Sequence, residues 1–360
     1  MITDYIKGSV KAYRRALSKK IIYYALLTVV LIVISLYSLS ISKLGISFSE
    51  VLDAIWNHVT GMVPDRNTQY IDWWIDHNVV ANGARTVCGI CVGAVLAACG
   101  AVMQTITRNP LTDPYTIGVS SAALMGVTVS IIMGVAVVPG LSGDSVKIVN
   151  AFVFAMIPSF VILFLASMKR LSSTMMVLVG IAMMYMFNAF TTFLKYNAES
   201  EQLDEIYRWS LGTLTKTDWD SAYALIPVTI ITLVILMIFA NSLNVLGTGD
   251  NVAKGLGVNP SRVRIGSFVL ISAVTSVAVC YTGTIGFVGL VAPHISRLFV
   301  GSNIKLLVPL SMLIGGIMVV GADILVRWIP QDLPVGVITA VIGSPLFLFF
   351  LYKQRMKSAF

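Results

Sequence analysis

Cys88 and Cys91 stand three residues apart in CGIC, a spacing that could hold a metal or run a thiol–disulfide exchange. Their neighbours argue for something plainer. Gly89, Gly93, Ala94, Ala97 and Ala98 surround them, and small residues on one helical face serve close helix packing. His294 lies in GTIGFVGLVAPHISRLFVG, and an ionisable residue within an apolar segment raises a functional hypothesis. The adjacent Pro293 frees a backbone carbonyl that a histidine could satisfy, so a structural role stands beside the functional one. Asp323 and Arg327 are four residues apart, which pairs opposite charges on one helix face. Met183, Met184 and Met186, with Met175 and Met176, form a soft apolar series that could line a route for a bulky ligand or pack a core.

Other chemistry is missing. The chain has no G-x-x-x-x-G-K-[ST] and therefore no P-loop for nucleotide phosphates. It has no H-E-x-x-H, no zinc-type Cys/His spacing and no nucleophile elbow. Three histidines, His58, His77 and His294, are too few for a histidine metal cage. No bound cofactor is expected. Carboxylates are nearly absent from the apolar interiors, whereas proton-coupled carriers need one there, so the energy source lies outside this chain.

The elements that must carry these residues are membrane helices. Of 360 residues 57% are hydrophobic and 12% charged, against about 25% charged in soluble domains. The mean hydropathy is +0.85. A formal charge of +8 comes without a basic stripe interleaved with aromatics, which argues against nucleic acid. About 20 apolar residues cross the hydrocarbon. On that measure spans fall near 21–42, 83–104, 115–138, 148–168, 172–194, 221–241, 265–282, 285–300, 306–327 and 335–352, the eighth being short. The fold expected is an all-α polytopic membrane protein with about ten transmembrane helices. The apolar run after the basic N-terminus is long for a cleaved signal and is read as a first span.

Charge sets the orientation. With the N-terminus inside, Lys7, Lys11, Arg14, Arg15, Lys19, Lys20, Arg108, Lys169, Arg170, Lys254, Arg262, Arg264, Arg297, Lys305, Lys353, Arg355 and Lys357 face the cytoplasm, 17 of the 25 basic residues. Lys43, Arg66, Arg85, Lys147, Lys195, Arg208, Lys216 and Arg327 remain outside. Both termini are then cytoplasmic in a multi-pass plasma-membrane protein. The domain plan is a basic N-terminus over 1–20, one transmembrane domain over 21–352 and a tail over 353–360.

Three connecting stretches stand out. Residues 104–126, QTITRNPLTDPYTIGVSSAALMG, carry Pro110 and Pro114 and then small residues, which reads as a packed junction or a connecting turn. Residues 195–220 include EQLDEIYRWSLG, a short surface helix. The inner segment 242–264 contains Asp250 or Asn251 as a cap, Lys254, and Gly255 or Gly257 as a stop. It is either a helix lying on the cytoplasmic face for a partner or a plain connector. Five spans per half make any internal repeat inverted in topology.

Taken together, ARTVCGICVGAVLAACGAVMQTITRNPLTDPYTIGVSSAALMG, YRWSLGTLTKTDW, NVAKGLGV, GTIGFVGLVAPHISRLFVG and ADILVRWIPQDLPVGVITAVIGSPLFLFFLYK resemble, in order and spacing, the iron-chelate and cobalamin permease family, the transmembrane subunits of type II ABC importers. The resemblance covers Arg85 to Lys353. It implies a ten-helix fold of two five-helix halves of inverted topology, working as a homodimer with the pathway on its axis. Two cytoplasmic ATP-binding subunits would hydrolyse ATP-Mg, and an extracytoplasmic substrate-binding protein would deliver a metal chelate: iron-siderophore, haem or cobalamin. The ATPase coupling segment maps to Asp250, Ala253, Lys254, Gly255, Leu256 and Gly257. The cytoplasmic gate maps to Asn109, Leu111, Ser173 and Thr174, and binding-protein docking to Arg85 and Arg327. Two departures bear on docking. NGAR at 82–85 stands where the family usually reads R-L-P-R, and the outer loop 43–82 is long. The rival readings are an ATP-independent secondary carrier or channel, and a membrane thiol oxidoreductase using Cys88 and Cys91.

Overall fold

The computed structural model describes residues 2–42, 45–168, 172–329 and 333–358. Lys43, Lys169 and Arg170 of the charge pattern lie outside the described residues, as do the side chains of Lys7, Lys11, Arg14, Arg15, Lys19, Ser173, Lys353, Arg355 and Lys357. Among the described residues the ordered elements are all helical: α1 (Ile2–Ser40), α2 (Phe48–Thr60), α3 (Tyr70–Thr107), α4 (Val119–Met133), α5 (Asp144–Met168), α6 (Ser173–Lys195), α7 (Ser200–Ser210), α8 (Trp219–Thr248), α9 (Asp250–Gly255), α10 (Pro260–Thr282), α11 (Val288–Val300), α12 (Ile304–Trp328) and α13 (Val335–Ser358). Seven of them are long and apolar enough to cross a membrane: α1 from Lys20, α3, α5, α6, α8, α10 and α12. The shorter apolar helices α4, α11 and the Val335–Phe350 part of α13 complete the ten expected spans. α2 and α7 lie at one end of the bundle and α9 at the other.

Local sequence sets the ends. α2 starts with a capping box between Ser47 and Glu50 and stops at Gly61 in the left-handed conformation. Asp218 caps α8, Asn259 caps α10 ahead of Pro260, and Asn303 caps α12. α4 is bracketed by Gly118 and Gly134, both at positive φ. Several boundaries differ from expectation: α1, α8, α10 and α13 run past their apolar spans and α4 stops short at Met133. The span expected at 83 begins at Tyr70, and the segment expected at 115 is a 3-10 turn, Pro114–Ile117, before α4 proper. At about 1.5 Å per residue α3 is about 57 Å long, nearly twice a hydrocarbon core of about 30 Å. Its DWWIDHN end therefore stands out on the outer side, packed by α2 through Val51, Ala54 and Val79.

α3 is the axis of the bundle. Its most apolar window is 89% buried, against 6% for the peripheral α1. Glycine permits this. A Cβ on Gly93 would sit 2.2 Å from the Gly315 carbonyl oxygen of α12, and one on Gly100 would sit 1.8 Å from that of Gly289 in α11. The backbones touch directly, as small-residue interfaces allow in lipid. Cys88, Cys91 and Cys99 are buried free thiols on this same helix.

The third span of each half is a short one preceded by irregular chain, α4 behind its 3-10 turn and α11 behind the non-helical 283–287. These two irregular stretches clasp each other. The Tyr115 hydroxyl donates to the Ile285 carbonyl at 3.2 Å and accepts from the Ile285 N–H at 3.2 Å. That repeat of an interrupted span fits two five-helix halves.

Candidate functional site

The inner face carries a short helical hairpin. α8 runs into Gly249 (φ 133°), α9 makes little more than one turn, and Gly257 (φ 79°) reverses the chain into α10. The expected cap does not form. Gly249 holds the cap position, and Asp250 is already helical. Ala253 is buried and seats the hairpin, whereas Val252, Lys254, Gly255, Leu256 and Gly257 are exposed. Val252 and Leu256 are bare apolar side chains on a polar hairpin, and a Cβ at Gly255 would meet open space, whereas Gly257 needs its positive φ. A cleft of about 690 Å³ runs beside it, lined by Ser172, Lys254, Asn259, Ser261 and Arg262 among others.

The Asp250 carboxylate lies at the edge of that cleft and is tied into the fold by two arginines. It takes Arg264 Nη2 at 2.9 Å on Oδ1 and Arg264 Nη1 at 3.3 Å on Oδ2, while Arg108 Nη2 approaches Oδ1 at 2.9 Å. The Arg264 guanidinium, outweighing burial and helped by the nearby charges, leaves this carboxyl below its ordinary range. Ala253 is thus turned into the fold, Asp250 is tied to it by two arginines, and Val252 and Lys254 to Gly257 stand exposed.

The expected gate residues divide between a turn and a helix start. Arg108 ends α3 at φ 52°, its N–H bonded back to Thr105. Asn109 Oδ1 accepts the Leu111 N–H at 2.9 Å, and Asp113 accepts from Tyr115 and Thr116 at 3.0 Å each, so the prolines sit in a well-bonded turn. Asn109 and Leu111 are exposed at its tip. Ser173 opens α6 behind the cap Ser172, and Thr174 is exposed. Among the described residues no hydrogen bond joins the two groups. The structure does not bring them together; the elements that carry them meet further along, where a Cβ on Gly180 of α6 would lie 2.5 Å from the Thr116 carbonyl oxygen.

The methionine series splits by face. Met183 is buried and packed with Ala122 and Phe187. Met184 is half-buried, and Met186 lies on an uncovered face of α6 with Met175, Leu178, Tyr185 and Phe193. The reason is helical geometry, because positions 176, 180, 183 and 187 repeat every three to four residues toward α4.

At the outer face Asp323 does more than pair with Arg327. Its side chain is 2% exposed and accepts from Arg85 Nε at 2.8 Å and Nη2 at 2.6 Å, and from Arg327 Nε at 2.8 Å. Arg327 also donates to the Ser38 carbonyl at 2.9 Å, to Ser38 Oγ at 3.1 Å and to Asn82 Oδ1 at 3.0 Å. Both arginines expected to dock an outside carboxylate are occupied inside the protein. Asn82, the first residue of NGAR, ties the same cluster to α1 by donating to the Leu39 and Ile41 carbonyls.

His294 does not satisfy the carbonyl freed by Pro293. Gln104 does so, donating to Gly289 O at 3.4 Å and Leu290 O at 3.3 Å, with its own oxygen bonded to Arg297. The His294 ring lies against Phe350, centroids 5.0 Å apart. No motif singles out Gln104, Arg264, Asn82 or Tyr115. Their only signal in the sequence is a polar type at the edge of an apolar run.

A family model described as the FecCD transport family matches residues 28–353. The Fe(3+)-citrate import system permease of Bacillus subtilis is 36% identical over 75% of this chain and 80% of its own length. The cobalamin import system permease of Halobacterium salinarum is 38% identical over 76% of this chain and 73% of its own. The molybdate import system permease of Haemophilus influenzae is 30% identical over 91% and 95%. A solved structure of a metal-chelate type ABC transporter in an inward-facing conformation is 29% identical, with a TM-score of 0.78 over 92% of this chain and 99% of that one.

Proposed function

The chain belongs to the FecCD transport family, and from that premise we propose that it carries a metal chelate inward by alternating access, driven by a separate ATPase. It is a transmembrane permease subunit of an ABC importer. Relatives are named for ferric citrate, cobalamin and molybdate, so the cargo class is a metal complex or metal oxyanion, with iron chelates, haem and corrinoids first.

One observation carries the energy-coupling part. A chain without a P-loop presents Val252, Lys254, Gly255 and Leu256 on a hairpin outside the membrane, which gives a soluble ATPase something to grip. Two copies of this chain with two ATPase subunits make the working unit. The apolar face of α6 around Leu178, Tyr185 and Met186, and the exposed Val341, Ile342, Leu348 and Phe349 of α13, are uncovered in the single chain and open to lipid or to the second copy. An extracytoplasmic binding protein delivers the cargo. Basic residues on the inner loops support cytoplasmic termini.

The test is co-purification. This chain is expressed with the candidate ATPase of its organism and isolated by a tag on this chain alone. A stable complex that hydrolyses ATP is expected, and Gly255→Arg, at a position where a Cβ meets no atom within 4 Å in the fold, abolishes its assembly. A chain that purifies without any ATPase while moving cargo in liposomes overturns the reading in favour of a carrier.

A further inference from the structure

We propose that Arg264 is the positioning residue that links the cytoplasmic helix to the gate turn, a role that rests on the importer reading above. Arg264 lies on the second turn of α10 and is 2% exposed. Its guanidinium forks onto Asp250, the first residue of α9, and its Nε donates to the Ile106 carbonyl at 3.1 Å. Ile106 belongs to the last turn of α3, where carbonyls have no partner within their own helix. One buried side chain thus holds both the start of α9 and the end of α3. Asp250 Oδ1 then reaches Arg108, the residue on which α3 stops and from which the Asn109–Leu111 tip continues.

The hairpin's construction makes this link the one that matters. α9 is six residues long and is bordered by Gly249 and Gly257, both at positive φ. Glycines on both sides leave the helix orientation weakly fixed by backbone. Ala253 gives it an apolar seat, and the carboxylate of Asp250 gives it direction. A load applied by an ATPase at Lys254–Leu256 is therefore delivered at Asp250 to Arg264 and Arg108, and through them to the α3 terminus that carries Asn109 and Leu111. A planar, five-donor guanidinium can serve a carboxylate and a carbonyl together, and an ammonium on a flexible stem cannot hold both in fixed geometry.

Arg264→Lys keeps the charge and removes the fork. Arg108→Asn removes the exposed arm and suits the left-handed conformation that position 108 adopts. Each variant is purified with its ATPase, reconstituted in liposomes with ferric citrate, cobalamin and haem as probe cargoes on the binding protein, and scored for cargo moved per ATP hydrolysed. We expect Arg264→Lys to retain ATP hydrolysis and lose at least tenfold in cargo per ATP, with a smaller loss of the same kind for Arg108→Asn. Spin labels at 111 in the two copies of the dimer report the gate directly: their distance changes on ATP binding in the wild type and stays fixed in Arg264→Lys. An unchanged cargo-to-ATP ratio and distance change in Arg264→Lys overturns the proposal. If that variant does not assemble, an unchanged ratio in Arg108→Asn overturns it. A wild-type complex that moves no cargo on ATP fails the importer reading instead, so the two failures are told apart.

Discussion

Asp323→Asn separates two readings of the outer arginines that predict opposite results. In the structure one buried carboxylate is shared by Arg85 and Arg327, whose side chains are 15% and 9% exposed. Removing one partner of a buried ion pair costs about 3–5 kcal/mol, because the remaining charge is left uncompensated. Asparagine keeps one acceptor oxygen but turns an N–H₂ group toward a guanidinium, so the lower end, about 3 kcal/mol, is the reasonable figure. An unfolding entropy of about 2.1 cal/mol/K per residue gives roughly 0.76 kcal/mol/K for a chain of this length, and about 4 °C for that loss. The assay is thermal unfolding of the purified permease followed by tryptophan fluorescence, with binding-protein affinity measured on the same samples. If the cluster is a clamp joining α1, α3 and α12, Tm falls by about 4 °C and affinity does not rise. If the arginines are docking groups restrained by Asp323, the variant frees them, and affinity for an acidic binding protein increases at unchanged Tm. That second result refutes the clamp.

Gly315→Ala and Gly316→Ala form a matched pair. A Cβ at 315 meets the Gly93 carbonyl oxygen at 2.1 Å and Ala97 at 2.7 Å, while one at 316 meets nothing closer than 3.5 Å. The first should lower folded yield severely, in line with overpacking losses of about 1–3 kcal/mol or more, and the second should leave Tm unchanged, both read by size-exclusion profile and thermal unfolding. Asp113, in the turn between spans, has its carboxyl pushed up to about 6, mainly by burial and against the pull of its backbone donors. A raised carboxyl pKa means the charged form is disfavoured in the fold. Its penalty is therefore present above pH 6 and relieved as pH falls from there toward the ordinary carboxyl value of about 4. Asp113→Asn, which keeps the oxygen that accepts from Tyr115 and Thr116, should raise Tm at pH 8 and lose that advantage near pH 4. A lower Tm at pH 8 would show that the ionised form is the one the turn needs.

Hydropathy makes the spans legible because lipid demands about 20 apolar residues whatever the fold, and α5, α6 and α12 lie within a few residues of expectation. The breaks at Pro114 and before α11 are legible because proline and glycine act locally. The start of α3 is not. DWWIDHN is helical but leaves the membrane, and a water-facing helix uses the polar residues that a hydropathy reading assigns to loops. The spacing of Asp323 and Arg327 announces their pair, yet Arg85 arrives from 238 residues away, and no local pattern reports such a partner. The family pattern singles out Asp250 but not its arginine partners, since Arg108 arrives from 142 residues away and a helix of six residues has too few turns to show which side is buried.

The packing also says where an inward-opening motion can and cannot occur. α3, α11 and α12 meet backbone to backbone at Gly93, Gly100, Gly289 and Gly315, where even a methyl group has no room. Interlocked surfaces of that kind resist sliding, because any shift drives a carbonyl into a neighbouring chain. α6 is held differently. Gly180 rests on the 3-10 turn and Met183 and Phe187 pack toward α4, while Met175, Leu178, Tyr185 and Phe193 are uncovered. Within one chain α6 is therefore packed on one side only and approaches the 3-10 turn backbone to backbone. The Tyr115–Ile285 clasp joins that turn to the irregular stretch before α11, a member of the interlocked block.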